Sequence, residues 1–444
     1  MKVNKELYLL RSVQENNVLP LTAKCNARCI FCSHRQNPPD IEVYSIGELS
    51  LQKIEELADF LVADRPIVIG ESVTRVIEGE PFFHSRIREV LSYLRGRFPA
   101  TPIQITTNGS LLDEGLVSFL AELEPVRLYL SLNSSDPDTR KGLMGLQSDA
   151  VFSGIRSLRD AGITYYGSIL ALPWIQGWAD LEQTLDDLSR WGAKMARVFL
   201  PGHTKYSNGK LTYSAVDRHK LQQIISRLQR ELEMPVVLEP LRLESLEARV
   251  EGTLPASAAA RAGIQSGDII KGIDEAGVFS RVDAFKLAQA SRNPALLLER
   301  SGESKLVKIK KDKGESSGLV MAYDIDPKRV ATISRSIDNN RLGRVLLLAS
   351  PLATVVIKEA LALAGLDDRT AVRTVASHYL GGNIGSAGLL IVSDYLQAWS
   401  EFPEQEEVSA IFVPGESFDW WGRDLRGVSY HRLEEGSGKP VYLL

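Results

Sequence analysis

Three cysteines stand within eight residues, Cys25–Asn26–Ala27–Arg28–Cys29–Ile30–Phe31–Cys32, in a chain of 444 residues that has no others. The spacing, three residues and then two, sets three thiolates on one short loop. Three thiolates can ligate three irons of a [4Fe-4S] cube and leave the fourth iron open. An open iron is a place where a substrate or cofactor can bind. The same residues allow other readings. They could be three buried apolar cysteines, or a structural zinc site completed by His34 in Cys-x-x-Cys-x-His, although structural zinc prefers four protein ligands.

Such a loop needs elements to position it. Val18–Thr22 reads as a short strand leading into it. The apolar spacing of Leu49, Ile54, Leu57, Phe60 and Leu61 predicts a helix within 45–63. A strand over 73–77 runs into Glu78–Gly79–Glu80–Pro81, a sharp turn that can bare backbone groups to a ligand; by itself it reads more readily as an ordinary βα turn. Strands over 103–107, 127–132, 165–172 and 196–200 then alternate with helices over 85–97, 111–123, 150–161 and 181–191. Six strand–helix units build a parallel sheet with ligands at the carboxyl ends of its strands. Thr107, Asn108, Ser131 and Asn133 fall at such ends. The polar loop over 133–138 with Arg140 and Lys141, and His84, His203 and Tyr206, are further candidates for that rim, though single polar residues there more often cap a strand.

The octapeptide, with an aromatic residue before its third cysteine, resembles the signature of radical S-adenosylmethionine (radical SAM) enzymes. The alternation that follows resembles their partial (β/α)6 barrel. The resemblance implies that the open iron binds the amino and carboxylate groups of S-adenosylmethionine. It implies that an electron from the cluster cleaves the sulfonium, and that the resulting 5′-deoxyadenosyl radical abstracts hydrogen from a substrate. Carried over by position, Cys25, Cys29 and Cys32 would ligate iron and Phe31 would lie against the adenine. Gly79 and Glu80 would flank the methionyl amino group, as in the family's Gly-Gly-Glu-Pro segment. Glu78 stands where that segment has its first glycine, a mild departure because the contact is largely to backbone. Asn108 would join the cofactor site, and Ser131 or Asn133 would contact the ribose or carboxylate. The strand ending Ile169–Leu170–Ala171–Leu172–Pro173 lacks the glycine often found near the adenine, so no such contact is expected there. A reductant protein such as a flavodoxin or ferredoxin, and sensitivity to oxygen, are implied as well.

Beyond a charged helix within 211–233, a new module begins near Leu241. Its stretch Pro255–Ala256–Ser257–Ala258–Ala259–Ala260–Arg261–Ala262–Gly263–Ile264–Gln265–Ser266–Gly267–Asp268–Ile269–Ile270 resembles a bacterial PDZ domain, which implies capture of a peptide end by strand addition. The region expected to bind the carboxylate, Leu241–Leu246, lacks the usual glycine, which leaves a spacer or docking module as the other reading. Residues 310–318 read as a polar linker. The last third is expected to be a small α/β domain. Through Asn383–Ile384–Gly385–Ser386–Ala387–Gly388 and Phe418–Asp419–Trp420–Trp421 it is similar to the C-terminal domain of radical SAM proteins that carry PDZ domains, although in those the PDZ segment commonly precedes the barrel. The glycine-rich stretch over 379–388 fits neither the dinucleotide fingerprint nor the P-loop and reads as a tight turn. That domain is expected to cap the open barrel or to form part of the substrate site.

The expected architecture is therefore α/β, with a radical SAM partial barrel over 1–240, a PDZ-like β-rich domain over 241–313 and a C-terminal α/β domain over 314–444. A hydrophobic fraction of 44% and a charged fraction of 24% suit a soluble globular protein. A net charge of -4 argues against a sequence-nonspecific nucleic-acid binder. No run of eighteen apolar residues is present, so no membrane span is expected, and Met1–Glu6 lacks the apolar core of a signal peptide. A cytoplasmic setting follows. Three cysteines exclude a disulfide framework and leave none for a second cluster of the usual kind. The expected activity is radical modification of a protein or peptide. The alternatives are a radical step on a small molecule in cofactor biosynthesis, or a non-catalytic iron–sulfur scaffold or electron-transfer protein.

Overall fold

The computed structural model describes residues 5–41, 43–72, 75–146 and 149–444. Six parallel strands form the first sheet in chain order: β1 (Ile67–Ile69), β2 (Ile103–Thr107), β3 (Val126–Ser131), β4 (Thr164–Leu170), β5 (Ala196–Phe199) and β6 (Val236–Glu239). The period-two alternation of β-strands separates their faces. In β3, Val126, Leu128 and Leu130 are buried under the crossover helices, while Tyr129 and Ser131 lie on the other, concave side. Short parallel strands require helical crossovers between them, and the chain supplies one after nearly every strand. The helices used below are α1 (Lys5–Asn16), α2 (Leu51–Ala58), α3 (Pro137–Met144), α4 (Arg281–Ala290) and α5 (Thr354–Leu363).

Both ends of this sheet differ from expectation. Val18–Thr22 is not a strand but makes single bridges, Val18 to Val68 and Thr22 to Glu48. The first strand is β1, and Val73 and Thr74 of the expected strand lie outside the described residues. Val76–Ile77 pairs instead with Tyr44–Ser45 in a separate two-stranded ribbon. The reason lies at Gly70, where φ is +80° and a Cβ would stand 2.4 Å from the Thr106 carbonyl oxygen. The chain turns away there against β2. The helix expected within 45–63 shrinks to α2, because Gly47 turns the chain at φ +68° and the Ser50 side chain accepts the Lys53 amide as an N-cap. At the other end β6 adds a strand directly before the expected boundary.

The second sheet is antiparallel and has six strands: β7 (Ala248–Thr253), β8 (Ile269–Ile273), β9 (Ala295–Arg300), β10 (Glu303–Lys308) and β11 (Leu319–Met321) in the order β10-β9-β8-β7-β11, with the two-residue strand Ala276–Gly277 pairing β8 off that path. The strand β11 lies beyond residue 313, where the sequence expectation ended this domain, so residues 310–318 are a turn within it and not a linker. The third sheet is parallel: β12 (Val345–Ala349), β13 (Thr370–Thr374), β14 (Ala410–Val413) and β15 (Val441–Leu443), in the order β13-β12-β14-β15.

Two sets of the contacts that hold the last domain to the barrel bear on the site. Around α1, the Tyr8 hydroxyl donates to Asp419 Oδ2 at 2.9 Å, and the Tyr8 ring sits 5.7 Å from Trp420 and 5.3 Å from Trp421. Arg75 faces the same Asp419 carboxylate at 3.5 Å, with side chains only 1% and 0% exposed. At the barrel rim, Asn383 Oδ1 accepts the His203 amide at 2.7 Å and its Nδ2 donates to the Pro201 carbonyl at 2.9 Å. The glycine-rich stretch serves that contact: at Gly382, with φ +64°, a Cβ would stand 2.0 Å from the His203 carbonyl oxygen. Removing one charge of a buried pair costs about 3–5 kcal/mol. We expect Asp419→Asn, which keeps the acceptor for its local turn but not the charge facing Arg75, to lower unfolding stability on that scale in urea denaturation, with Tyr8→Phe losing about 1 kcal/mol.

Candidate functional site

The cysteine loop is held from three sides. Ahead of it, the Glu78–Gly79–Glu80 strap lies along residues 21–24. Gly79 N–H donates to the Thr22 carbonyl at 2.7 Å and Glu80 N–H to that of Lys24 at 2.9 Å. A Cβ at residue 79 would stand 2.0 Å from the Lys24 oxygen, so only glycine permits this approach. Within the loop, Asn26 Nδ2 donates to Ser110 Oγ at 2.8 Å and its Oδ1 accepts from Asn108 Nδ2 at 2.9 Å, which ties the loop to the end of β2. Behind it, the amides of Arg28 and Ile30 donate to the carbonyls of Met144 and Leu143 at 2.7 and 2.9 Å, at the carboxyl end of α3. Ala27, Cys29, Ile30 and Phe31 rest on an apolar floor of Leu143, Met144, Leu146, Leu172 and Leu211.

Two carboxyls are buried beside the loop. Glu80 accepts from Thr107 Oγ1 at 2.6 Å, from the Asn108 amide at 2.7 Å and from the Phe82 amide at 3.2 Å. Burial pushes its pKa up to about 7, with those bonds pulling the other way. Glu78 accepts the amides of Leu21 at 2.5 Å and Thr22 at 3.4 Å, and burial pushes it up to about 8. Its side chain therefore clamps the segment that delivers the cysteines, a role beyond a mild departure from a glycine. Arg140 is fully buried; its guanidinium donates to the carbonyls of Leu132, at 3.2 Å, and Asn108, and burial lowers its pKa to about 10. The expected polar loop over 133–138 with Arg140 and Lys141 thus passes into α3 at Pro137, and Arg140 braces two strand ends from inside.

Cys25 and Cys29 line a cavity of about 290 Å3 on the concave side of the sheet, together with Phe31, Gly79, Glu80, Asn108, Ser131 and Asn133. All six of the cofactor residues expected from the sequence meet there. Asn133, at φ +65°, already commits its amide: Oδ1 accepts the Leu170 amide at 2.8 Å and Nδ2 lies 3.2 Å from Met144 Sδ. All three cysteines line a second, adjoining chamber of about 800 Å3, whose far wall is Leu380, Ile384, Leu389 and Leu425 of the C-terminal domain. Burial, and then the two neighbouring thiols, push Cys29 up to about 12; burial raises Cys25 as well. A coordinated metal reverses that preference, since a ligating thiol is deprotonated outright.

The donor set fits an iron–sulfur cube better than a single ion. Three thiols from one loop border a shared space, whereas among the described residues no three His, Cys, Asp or Glu side chains converge to hold one metal ion. His34, the fourth ligand in the zinc alternative, has its Nε2 3.3 Å from Ser72 Oγ. The other rim histidines are engaged in packing contacts. His84 is buried, with Nε2 2.9 Å from the Leu49 carbonyl oxygen and Nδ1 accepting the Arg86 amide, and His203 meets the C-terminal domain through its main chain. Tyr206 is exposed, its ring 6.4 Å from that of Tyr379. Asn26 was not singled out from the sequence, although its place inside the octapeptide was a signal. Arg140 was expected on a polar rim loop; its burial against the Leu132 and Asn108 carbonyls depends on α3.

Residues 19–188 match the model of the Radical SAM superfamily. Enzymes of this kind use a [4Fe-4S] cluster and S-adenosylmethionine. Among curated proteins, the chain is 32% identical over 127 residues to GTP 3′,8-cyclase of Microcystis aeruginosa, covering 29% of this chain and 37% of that protein. It is 32% identical over 154 residues to GTP 3′,8-cyclase 2 of Pseudomonas aeruginosa, covering 32% and 41%. The chain thus spans well under half the length of these curated relatives. Among solved structures, Streptococcus suis SuiB bound to precursor peptide SuiA aligns with a TM-score of 0.38 at 18% identity, over 50% of this chain and 48% of that one.

A neutral Glu78 in the fold sets the sign of a pH effect. In the unfolded chain its carboxyl ionises above about 4.5, whereas in the fold it holds its proton to about 8. Its stabilising contribution is fully present below the lower value and is lost as pH rises through the higher one, at up to about 1.4 kcal/mol per pH unit for one carboxyl. Glu80 acts in the same direction. Chemical denaturation of the wild type should show stability falling from pH 5 to pH 8. In Glu78→Gln the fall should be shallower; an unchanged slope would remove Glu78 from the account.

Proposed function

We propose that the chain is a radical SAM enzyme in which Cys25, Cys29 and Cys32 hold a [4Fe-4S] cluster and the concave cavity takes S-adenosylmethionine. The observation that supports this most is the meeting of Phe31, Gly79, Glu80, Asn108, Ser131 and Asn133 with Cys25 and Cys29 around one cavity. When bound, the cluster supplies the electron that splits the sulfonium and so the radical that takes hydrogen from a substrate. The chain's own residues do the positioning. Gly79 bares main chain beside the cysteine loop, and Glu80, locked by Thr107 and Asn108, sets the polar end of the cavity. Phe31 and the floor beneath it present an apolar surface. Leu380, Ile384, Leu389 and Leu425 give an apolar wall to the chamber in which a substrate C–H must be held close to the reacting carbon.

The substrate in this reading is a protein or peptide, reached in the cytoplasm, with a flavodoxin or ferredoxin as reductant. No helix among the described residues is long and apolar enough to cross a membrane. Support for a peptide comes from β11, the terminal strand of the second sheet, which contacts α4 and is preceded by Gly318 at φ +80°. An extended peptide can add to such an edge, and Ser317–Gly318–Leu319 supplies the small loop that Leu241–Leu246 lacks in the PDZ likeness. A small-molecule step is the second reading. It is favoured by the size of the 800 Å3 chamber and by the name GTP 3′,8-cyclase borne by the curated relatives.

Anaerobic reconstitution with iron and sulfide tests the first claim. We expect about four irons per chain, and 5′-deoxyadenosine by mass spectrometry once S-adenosylmethionine and a strong reductant are added, with both lost in Cys29→Ala. Tightly bound zinc without iron would overturn the reading. For the substrate, a pull-down that recovers one protein with the wild type but not with Val320→Pro, which removes a backbone donor from β11, supports the peptide; turnover indifferent to that change supports the small molecule.

A further inference from the structure

We propose that the cavity where the three domains meet is a separate binding site for an uncharged, mainly aliphatic molecule. It encloses about 690 Å3, within the range of small-molecule sites. The barrel contributes its concave side through Tyr129 and Val237, and the second domain contributes the stretch from Val320 to Ile325. The C-terminal domain contributes the ends of two strands, Leu348 to Ser350 at the carboxyl end of β12 and Phe412 with Pro414 at that of β14.

The last contribution locates the site. From β12 the chain crosses to β13 on one side and later returns to β14 on the other. Connections therefore diverge between β12 and β14, and the crevice at the carboxyl ends of two such strands is where open parallel sheets bind ligands. The cavity lies at that crevice.

Charge decides what it takes. Five charged side chains reach the lining, and each already has an opposite partner. Arg197 pairs with Glu239 at 2.6 Å, and Arg329 with Glu416 at 2.5 Å. Asp324 accepts the amides of Arg281 and Val282 at 2.8 and 3.1 Å and faces the Arg281 guanidinium at 3.4 Å. A charged ligand would give up its hydration and find no counter-charge. An aliphatic one gains from surfaces such as Leu243, Ile333 and Ile357. Tyr129 and Arg197 stand two residues before Ser131 and Phe199 on the same strands, so a bound molecule rests about 6.6 Å along the strands from the cysteine-facing cavity. None of this depends on the reading of the cysteine loop.

Isothermal titration of the full-length, cluster-loaded chain under anaerobic conditions tests the site with octan-1-ol, octanoate and octylammonium. We expect one octanol per chain and at least tenfold weaker binding of both charged analogues. Ala353→Phe, which sets a ring into the lining, should weaken octanol binding at least tenfold. Leu243→Trp should do so from another wall, and circular dichroism identifies whichever variant keeps its fold. The proposal is overturned if octanol does not saturate, if either charged analogue binds equally well, or if the folded variants keep wild-type affinity.

Discussion

The approach of Gly79 to the Lys24 carbonyl is the contact on which the rest of the site depends. With a Cβ only 2.0 Å from that oxygen, no other residue lets the strap lie flat against the segment that enters the cysteine loop. Once it lies flat, the carboxyls on either side have defined tasks. Glu78 turns back to clamp the amides of Leu21 and Thr22, and Glu80 turns forward to gather Thr107 and the Asn108 amide. Both are buried, and each has its affinity for a proton raised by that burial. The loop is thus registered against the end of β2 by hydrogen bonds that one backbone contact makes possible.

The C-terminal domain completes what the open barrel leaves unfinished. Its glycine-rich stretch is shaped by packing against the rim loop. Gly382 is glycine because the chain passes against the His203 carbonyl, and Asn383 beside it bonds both main-chain directions of the rim loop. The Asp419–Trp420–Trp421 turn holds the opposite side through Tyr8 and Arg75. Between these two fastenings Leu380, Ile384 and Leu389 are brought to face the cysteines. A domain that reads in isolation as an ordinary parallel sheet becomes the wall of a chamber.

The concave side of the barrel is divided along its strands. Residues near the carboxyl ends, such as Ser131 and Phe199, border the cysteine-side cavity, whereas Tyr129 and Arg197 border the three-domain cavity. The Arg197–Glu239 pair and the stacked rings of Tyr129 and Tyr166, 4.8 Å apart, form the layer between. The two spaces differ in character because one is built around polar strand ends and the other around paired charges and aliphatic walls.

Sequence alone determined the parts that depend on local order. The cysteine spacing, the middle strands β2 to β5 and the positions of Asn108, Ser131 and Asn133 at strand ends all follow from period and from residue type within a few positions. The limits of the sheet did not. β1 (Ile67–Val68–Ile69) and the start of β6 (Val236–Val237–Leu238) are short all-apolar runs without period-two alternation, and Val18–Thr22, which reads as a strand, finds only bridges. Arg140 sits in a stretch that reads as a polar loop, yet α3 folds it inward to the carbonyl of Leu132, 8 residues away, and to that of Asn108, 32 residues away across β3. Glu78, Gly382 and the cavity at the β12–β14 crevice were decided only by tertiary structure. Each is defined by a contact between segments tens to hundreds of residues apart, and no pattern within one segment encodes the distance to another.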